Sequence, residues 1–239
     1  MEILLDTANL ENIRKYNDIY DITGVTSNPT ILSREKAEFF PLLLEIRSII
    51  GDKQLHVQVT GSTCEEMVKE AETITDKLGK NTYIKVPVNE EGIKTIKMLK
   101  SQGYKVTGTA IYMPQQAMLA AFVGADYVAP YFNRMNNMNV DSKKALEEIT
   151  WLFEHYHKDT KILAASFKNT HQIMDALLAG AHAVTASPEL YTQMVERVRS
   201  LIRQLQVLGL TGKLCTGIKG FTKSKESGRL CHGRIYYRP

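Results

Sequence analysis

No apolar run in the sequence approaches the roughly 20 residues that a membrane-spanning helix needs. Met1 to Thr7 have neither a basic start nor a signal-like apolar stretch, so a cytoplasmic protein that does not enter a membrane is expected. Cysteine is scarce. Cys64, Cys215 and Cys231 are an odd number with neither metal-ligand nor redox-pair spacing, which argues for a reducing compartment and against a disulfide framework or a structural metal. His155, His157, His171 and His182 are scattered and read as helix or surface residues without metal-ligand spacing. A glycine-rich phosphate loop is also missing. Asp6-Thr7-Ala8-Asn9 matches neither G-x-G-x-x-G nor a Walker sequence, which weighs against an open doubly wound sheet built around a nucleotide. What remains is a composition of 44% hydrophobic and 23% charged residues, ordinary for a globular protein and unlike a disordered or fibrous one.

The net charge of +4 conceals two unlike parts. Residues 1–196 carry 20 Lys+Arg against 25 Asp+Glu, a net of −5, whereas residues 197–239 carry 10 against the single acid Glu226, a net of +9. A change this abrupt marks a boundary, and a basic tail is open to reading as a nucleic-acid-binding segment.

Up to about residue 204, short β-branched runs alternate with amphipathic segments, the pattern of a parallel sheet covered by helices. The runs at 3–6, 24–26, 56–59, 83–87, 105–109, 127–130, 161–165 and 183–186 predict eight strands. Asp141 or Ser142 is placed to cap a helix whose Ala145, Ile149, Leu152, Phe153 and Tyr156 share one face. Gly124 and Gly180 each stand where a helix must stop just before the next strand. Eight βα units in this length predict an α/β fold, a compact single-domain (β/α)₈ TIM barrel over 1–204, followed by an atypical basic tail over 205–239.

In such barrels the active site is built at the carboxyl ends of the strands. Those ends hold Asp6, Asn28, Gln58, Lys85, Thr109, Tyr131 and Ser166, one from each of the first seven strands or the loop after it. Any one of them has an ordinary structural role available, such as capping a helix or starting a turn. Lys85 is different, because Tyr83-Ile84-Lys85-Val86-Pro87-Val88 otherwise reads as a strand with two dry faces. A buried ammonium is costly, and burial favours the neutral amine that carbonyl attack requires. The alternative is a lysine that snorkels to the barrel mouth and pairs with Asp6.

Gly24-Val25-Thr26-Ser27-Asn28-Pro29-Thr30-Ile31-Leu32 resembles a signature of the transaldolase family. So do Tyr83-Ile84-Lys85-Val86-Pro87, Gly108-Thr109-Ala110, Val128-Ala129-Pro130-Tyr131 with Arg134, and Ala164-Ala165-Ser166-Phe167-Lys168. The resemblance spans residues 1 to about 195. Gln58 and Tyr131 are similar to the fructose-6-phosphate aldolase branch, where transaldolases proper have glutamate and phenylalanine. Ser27 departs mildly from the commoner threonine.

The resemblance implies a metal-independent, cofactor-free Schiff-base aldolase that splits fructose 6-phosphate reversibly to dihydroxyacetone and glyceraldehyde 3-phosphate. The alternative is a transaldolase that passes the dihydroxyacetone unit to another sugar phosphate. It implies Lys85 as nucleophile, Tyr131 as acid/base through a water held with Gln58 and Thr109, Asp6, Asn28 and Ser166 around the dihydroxyacetone part, and Arg134 with Lys168 at the phosphate. It also implies ketose and aldose phosphates as partners, neither nucleic acid nor membrane, and a homo-oligomeric ring of five or a decamer.

The family's C-terminal helix bears an Asp-Trp pair and a Tyr-Gly or Phe-Gly, and nothing like it follows Val195; the only tryptophan is Trp151. Back-translating residues 200–217 with permitted codons and reading from each third base gives, as one allowed result, T-D-P-A-I-A-S-F-G-T-D-W-K-A-V-Y-G. The tail is therefore expected to be a frame-shifted version of that helix, packing poorly from about residue 208 and weakening ring assembly, its basic charge an accident of the frame.

Overall fold

Short polar side chains open most of the helices, and each does so by accepting a backbone N–H that would otherwise have no partner. Asn9, Asn28, Thr63, Asn89, Asp141 and Asn169 accept from the amides of Asn12, Ile31, Glu66, Gly92, Lys144 and Gln172. Each such cap stabilises by about 1 kcal/mol. The structure, a computed structural model, describes residues 1–196.

Among the described residues, eight strands alternate with the helices: β1 (Glu2–Asp6), β2 (Gly24–Thr26), β3 (Gln54–Gln58), β4 (Thr82–Pro87), β5 (Lys105–Ile111), β6 (Tyr127–Pro130), β7 (Lys161–Ala164) and β8 (Ala183–Ala186). Between them lie α1 (Leu10–Ile19), α2 (Pro29–Arg34), α3 (Phe39–Ile50), α4 (Cys64–Leu78), α5 (Glu90–Ser101), α6 (Pro114–Phe122), α7 (Phe132–Asn137), α8 (Ser142–His155) and α9 (Thr170–Leu178). The strands pair in parallel in sequence order, and β1 pairs with β8 to close the barrel. The expected (β/α)₈ barrel is therefore the fold. It occupies the compact unit Met1–Met194, and the chain is helical again from Pro188. The second unit, Val195–Pro239, falls almost wholly outside the described residues, and with it the expectations for the tail.

Alternation along the strands sorts the interior. Leu5, Val25, Leu55, Val57, Ile84, Val86, Val106, Val128 and Ile162 belong to the buried layer between sheet and helices, while Leu4, Tyr127, Leu163 and Ala183 pack with Tyr83 inside the barrel. The glycine of the 24–32 motif has a steric reason. A Cβ on Gly24 would lie 2.2 Å from the Gln54 carbonyl oxygen, so no other residue lets β2 lie this close to β3.

The helix capped by Asp141 holds Ala145, Ile149 and Phe153 in the core as expected, but Leu146, fully buried, is also on its inner face. Tyr156 is not. The helix ends at His155, so Tyr156 leaves the stripe and is 61% exposed. Gly124 and Gly180 do end helices, at φ of 93° and 96°, a left-handed conformation that costs glycine little. Five strands differ in their limits from the sequence expectation; β1 and β4 each begin one residue earlier, at Glu2 and Thr82. β3 begins at Gln54 because its polar N-terminal residues have partners inside the barrel, and Val59 lies past the strand although its N–H still donates to the Lys85 carbonyl. β5 continues to Ile111 through a bulge that puts Ala110 at φ 57°. β7 stops at Ala164, with Ala165 bridging to Tyr131.

Candidate active site

Ile84 and Val86 face the helices, so Lys85 between them points into the barrel. It is 5% exposed, and its Nζ donates to the Ser27 carbonyl at 3.0 Å. Register sets its neighbours: the Cα partners of Lys85 are Gln58 on β3 and Thr107 on β5. Lys85 lines a cavity of about 80 Å³ at the carboxyl ends of the strands, together with Asp6, Asn28, Tyr131, Arg134 and Ser166.

Asp6, the last residue of β1, accepts a hydrogen bond from the Thr26 hydroxyl at 2.7 Å, and that hydroxyl lies 2.7 Å from the one on Thr185. Burial pushes the Asp6 carboxyl above its ordinary range, and the Lys85 charge and the Thr26 hydroxyl only partly offset this. Asn28 has its side-chain oxygen committed to the Ile31 amide, so its NH₂ group is the part left to meet a ligand. Ser166 has a φ of 64°, which for a non-glycine residue costs of order 1 kcal/mol, and such strain collects at functional sites.

The bulge in β5 follows directly after Thr109, whose hydroxyl lies 3.1 Å from that of Tyr131. Arg134 sits with its guanidinium carbon 4.8 Å from the Tyr131 ring centre and donates to the Tyr112 hydroxyl at 3.3 Å. Its charge is therefore held at the rim of the cavity, on the wall formed by Tyr131.

Three of the expected residues are not on the wall of this cavity: Thr109 reaches it only through its contact with the Tyr131 hydroxyl, and two others lie elsewhere. Gln58, although the register neighbour of Lys85, lines a separate apolar cavity of about 750 Å³ bordered by Pro29, Leu32, Phe39, Phe40 and Ile74. Lys168 is exposed in the loop before α9 and outside the Lys85 cavity; its backbone N–H donates to Gln172 Oε1 at 2.8 Å. Thr26 and Thr185 escaped the sequence reading. Both lie on the inner face near the ends of their strands, and strand-end position was the signal available for them. Among the described residues, no three His, Cys, Asp or Glu side chains converge as metal ligands, and no helix is long and apolar enough to cross a membrane.

A family model described as Transaldolase/Fructose-6-phosphate aldolase matches residues 3–226, a longer span than the resemblance legible in the sequence motifs. A probable fructose-6-phosphate aldolase from Streptococcus pneumoniae is 46% identical over 193 residues, covering 80% of this chain and 87% of the relative.

Proposed function

The chain belongs to the transaldolase/fructose-6-phosphate aldolase family, and we propose that it is a metal-independent Schiff-base aldolase cleaving fructose 6-phosphate reversibly to dihydroxyacetone and glyceraldehyde 3-phosphate. One observation carries this reading: Lys85, 5% exposed on a barrel strand, faces a cavity it shares with Asp6, Asn28, Tyr131 and Ser166. The neutral Lys85 amine attacks the ketone carbon, and loss of water leaves an iminium on Nζ. A base removes the proton of the C4 hydroxyl, the C3–C4 bond breaks, and its electron pair moves into the iminium to give an enamine. Glyceraldehyde 3-phosphate leaves. A proton then returns to carbon, and water hydrolyses the new iminium to free dihydroxyacetone and Lys85.

Tyr131 is the acid/base of this scheme, working through a water held with Thr109 and with Gln58, the register neighbour of Lys85, whose side chain must turn toward Lys85 from the apolar cavity it lines. The 3.1 Å contact between the Thr109 and Tyr131 hydroxyls supports the first half of that assignment. Asp6 and the free amide of Asn28 hold the dihydroxyacetone hydroxyls, with Ser166 beside them. Arg134 takes the phosphate as a charge-assisted fork, and Lys168 assists from the loop before α9. The active assembly is a homo-oligomeric ring of five or a pair of such rings, a mass that light scattering reads directly.

Borohydride reduction in the presence of dihydroxyacetone, followed by peptide mass mapping, tests the central step. Label is expected on Lys85. An unlabelled protein whose Lys85→Ala variant keeps full turnover would sink the reading.

A further inference from the structure

Below Lys85 the barrel interior carries a polar chain that none of these steps uses. His56 on β3 is fully buried, stacked on Tyr83 with ring centres 4.6 Å apart and edge-on to Tyr127 at 5.5 Å. Its Nδ1 lies 2.9 Å from the Thr107 hydroxyl, and its Nε2 lies 3.0 Å from Gln54 Oε1. Gln54 Nε2 donates to the Tyr127 hydroxyl at 3.0 Å, and that hydroxyl donates to Glu2 Oε2 at 2.6 Å. At the N-terminal face of the barrel, Lys161 Nζ donates to the other Glu2 oxygen at 2.6 Å.

The chain has only one consistent direction. An ionised carboxylate only accepts, so Tyr127 donates to Glu2, and the Tyr127 oxygen then accepts from the Gln54 amide nitrogen. The Gln54 carbonyl is left facing His56, where it also only accepts, so the imidazole hydrogen sits on Nε2. Nδ1 is bare and receives the Thr107 hydroxyl. The ionised end is secure: against the cost of its burial, Lys161 and the Tyr127 hydroxyl hold the Glu2 carboxyl below its ordinary range. Burial, and then the Lys85 charge, hold His56 well below the usual histidine range.

His56 also reaches Lys85 through the backbone. Its carbonyl accepts both the Ser27 N–H at 3.0 Å and the Ser27 hydroxyl at 3.2 Å, and the Ser27 carbonyl is the acceptor on which Lys85 rests. Lys85 and Tyr83 on β4, Tyr127 on β6, Glu2 on β1, Lys161 on β7 and Lys105 on β5, whose Nζ lies 5.3 Å from the Tyr83 ring centre, are the titratable groups around the ring and its chain. We infer that His56 is a positioning residue for Lys85, locked as a neutral Nε2–H imidazole by the Glu2–Tyr127–Gln54 chain, so that the Ser27 acceptor stays fixed and no second cation lies beneath the reacting amine. A charged ring there would oppose the cationic iminium that forms on Lys85 Nζ. The inference rests on Lys85 being the nucleophile.

Nitrogen NMR of the full chain labelled at histidine is the direct test. His56 is expected to show hydrogen on Nε2 and none on Nδ1, without titrating from about pH 5 to 8. A ring that titrates in that range, or carries its hydrogen on Nδ1, overturns the inference. Tyr127→Phe keeps the edge-on ring and breaks the chain. It is expected to mix the two tautomers and to slow borohydride trapping of Lys85 by about fivefold, the factor one ordinary hydrogen bond is worth. Wild-type trapping together with a wild-type tautomer would remove the chain from any role. Should that variant fail to fold, Glu2→Gln, whose amide can reverse the chain, reads the same two quantities. If Lys85 takes no label in the unaltered protein, the nucleophile assignment falls and the positioning role with it, whereas an unexpected tautomer with labelled Lys85 defeats the positioning role alone.

Discussion

The Tyr131 hydroxyl lies 3.1 Å from the hydroxyl of Thr109, on the wall of the cavity that contains Lys85. This pairing orients the phenol on the cavity wall. Tyr131→Phe is expected to lower aldolase turnover by about 10²- to 10⁴-fold, the usual contribution of a positioned acid/base, while trapping at Lys85 stays detectable. Unchanged cleavage would take Tyr131 out of the mechanism.

Cleavage of fructose 6-phosphate is expected without any acceptor sugar, because a poised acid protonates the enamine and releases dihydroxyacetone. Assays with and without erythrose 4-phosphate decide the matter. Strict dependence on the acceptor would assign the chain to transfer rather than cleavage.

Asp6 makes a prediction with a defined sign. Its folded-state pKa lies above its unfolded value because burial disfavours the charge. The stability it contributes is fully present below the unfolded value, about 3.9, and is lost as pH rises through the folded value. Asp6→Asn should therefore melt higher than wild type at neutral and alkaline pH, with the gap closing toward about pH 4. Turnover should fall about a hundredfold as the dihydroxyacetone hydroxyls lose their partner. A melting temperature that drops at pH 8 would show that the carboxylate is better paired than its burial suggests.

Gly24→Ala should destabilise the barrel by about 1–3 kcal/mol, because the added methyl carbon would lie 2.2 Å from the Gln54 carbonyl oxygen and must push β2 from β3. For a chain of this size that is about 2–4 °C of Tm per kcal/mol. Thermal unfolding checks it; an unchanged Tm would mean the strands separate freely.

The encoding DNA checks the expectation for the tail. A single insertion or deletion near codon 200 should restore an ending with the Asp-Trp pair. If no such change does, the basic tail needs another origin.

The sequence made the barrel legible because its outward-facing strand residues are strongly apolar and β-branched, and because Gly124 and Gly180 punctuate the units. Asp6, Asn28, Lys85, Tyr131 and Ser166 could be placed together because strand-end position alone brings them to one cavity, whereas Arg134, on α7, joined them only through the family resemblance. Gln58 and Lys168 show the limit of that rule: a strand-end position fixes where the backbone goes, yet Gln58 lines the neighbouring apolar cavity and Lys168 lies out on its loop. His56 was legible in principle, since it lies two residues before Gln58 and therefore shares its face. Its partners Gln54, Thr107 and Tyr127 come from three strands, and pairing across strands is not written in any local pattern.

The hydroxyl contacts around Asp6 lie across the seam where the barrel closes. Thr185 belongs to β8, the last strand of the barrel, and its hydroxyl meets that of Thr26 on β2, which in turn donates to Asp6 on β1. A growing chain on the ribosome therefore has no complete carboxylate pocket until nearly the whole barrel has emerged. Until then, β1 and the most recently made strand present open edges that can pair with other chains. Completion of the surroundings of the Asp6 carboxyl and protection from edge-to-edge aggregation are thus one event, timed by the arrival of residues 183–186.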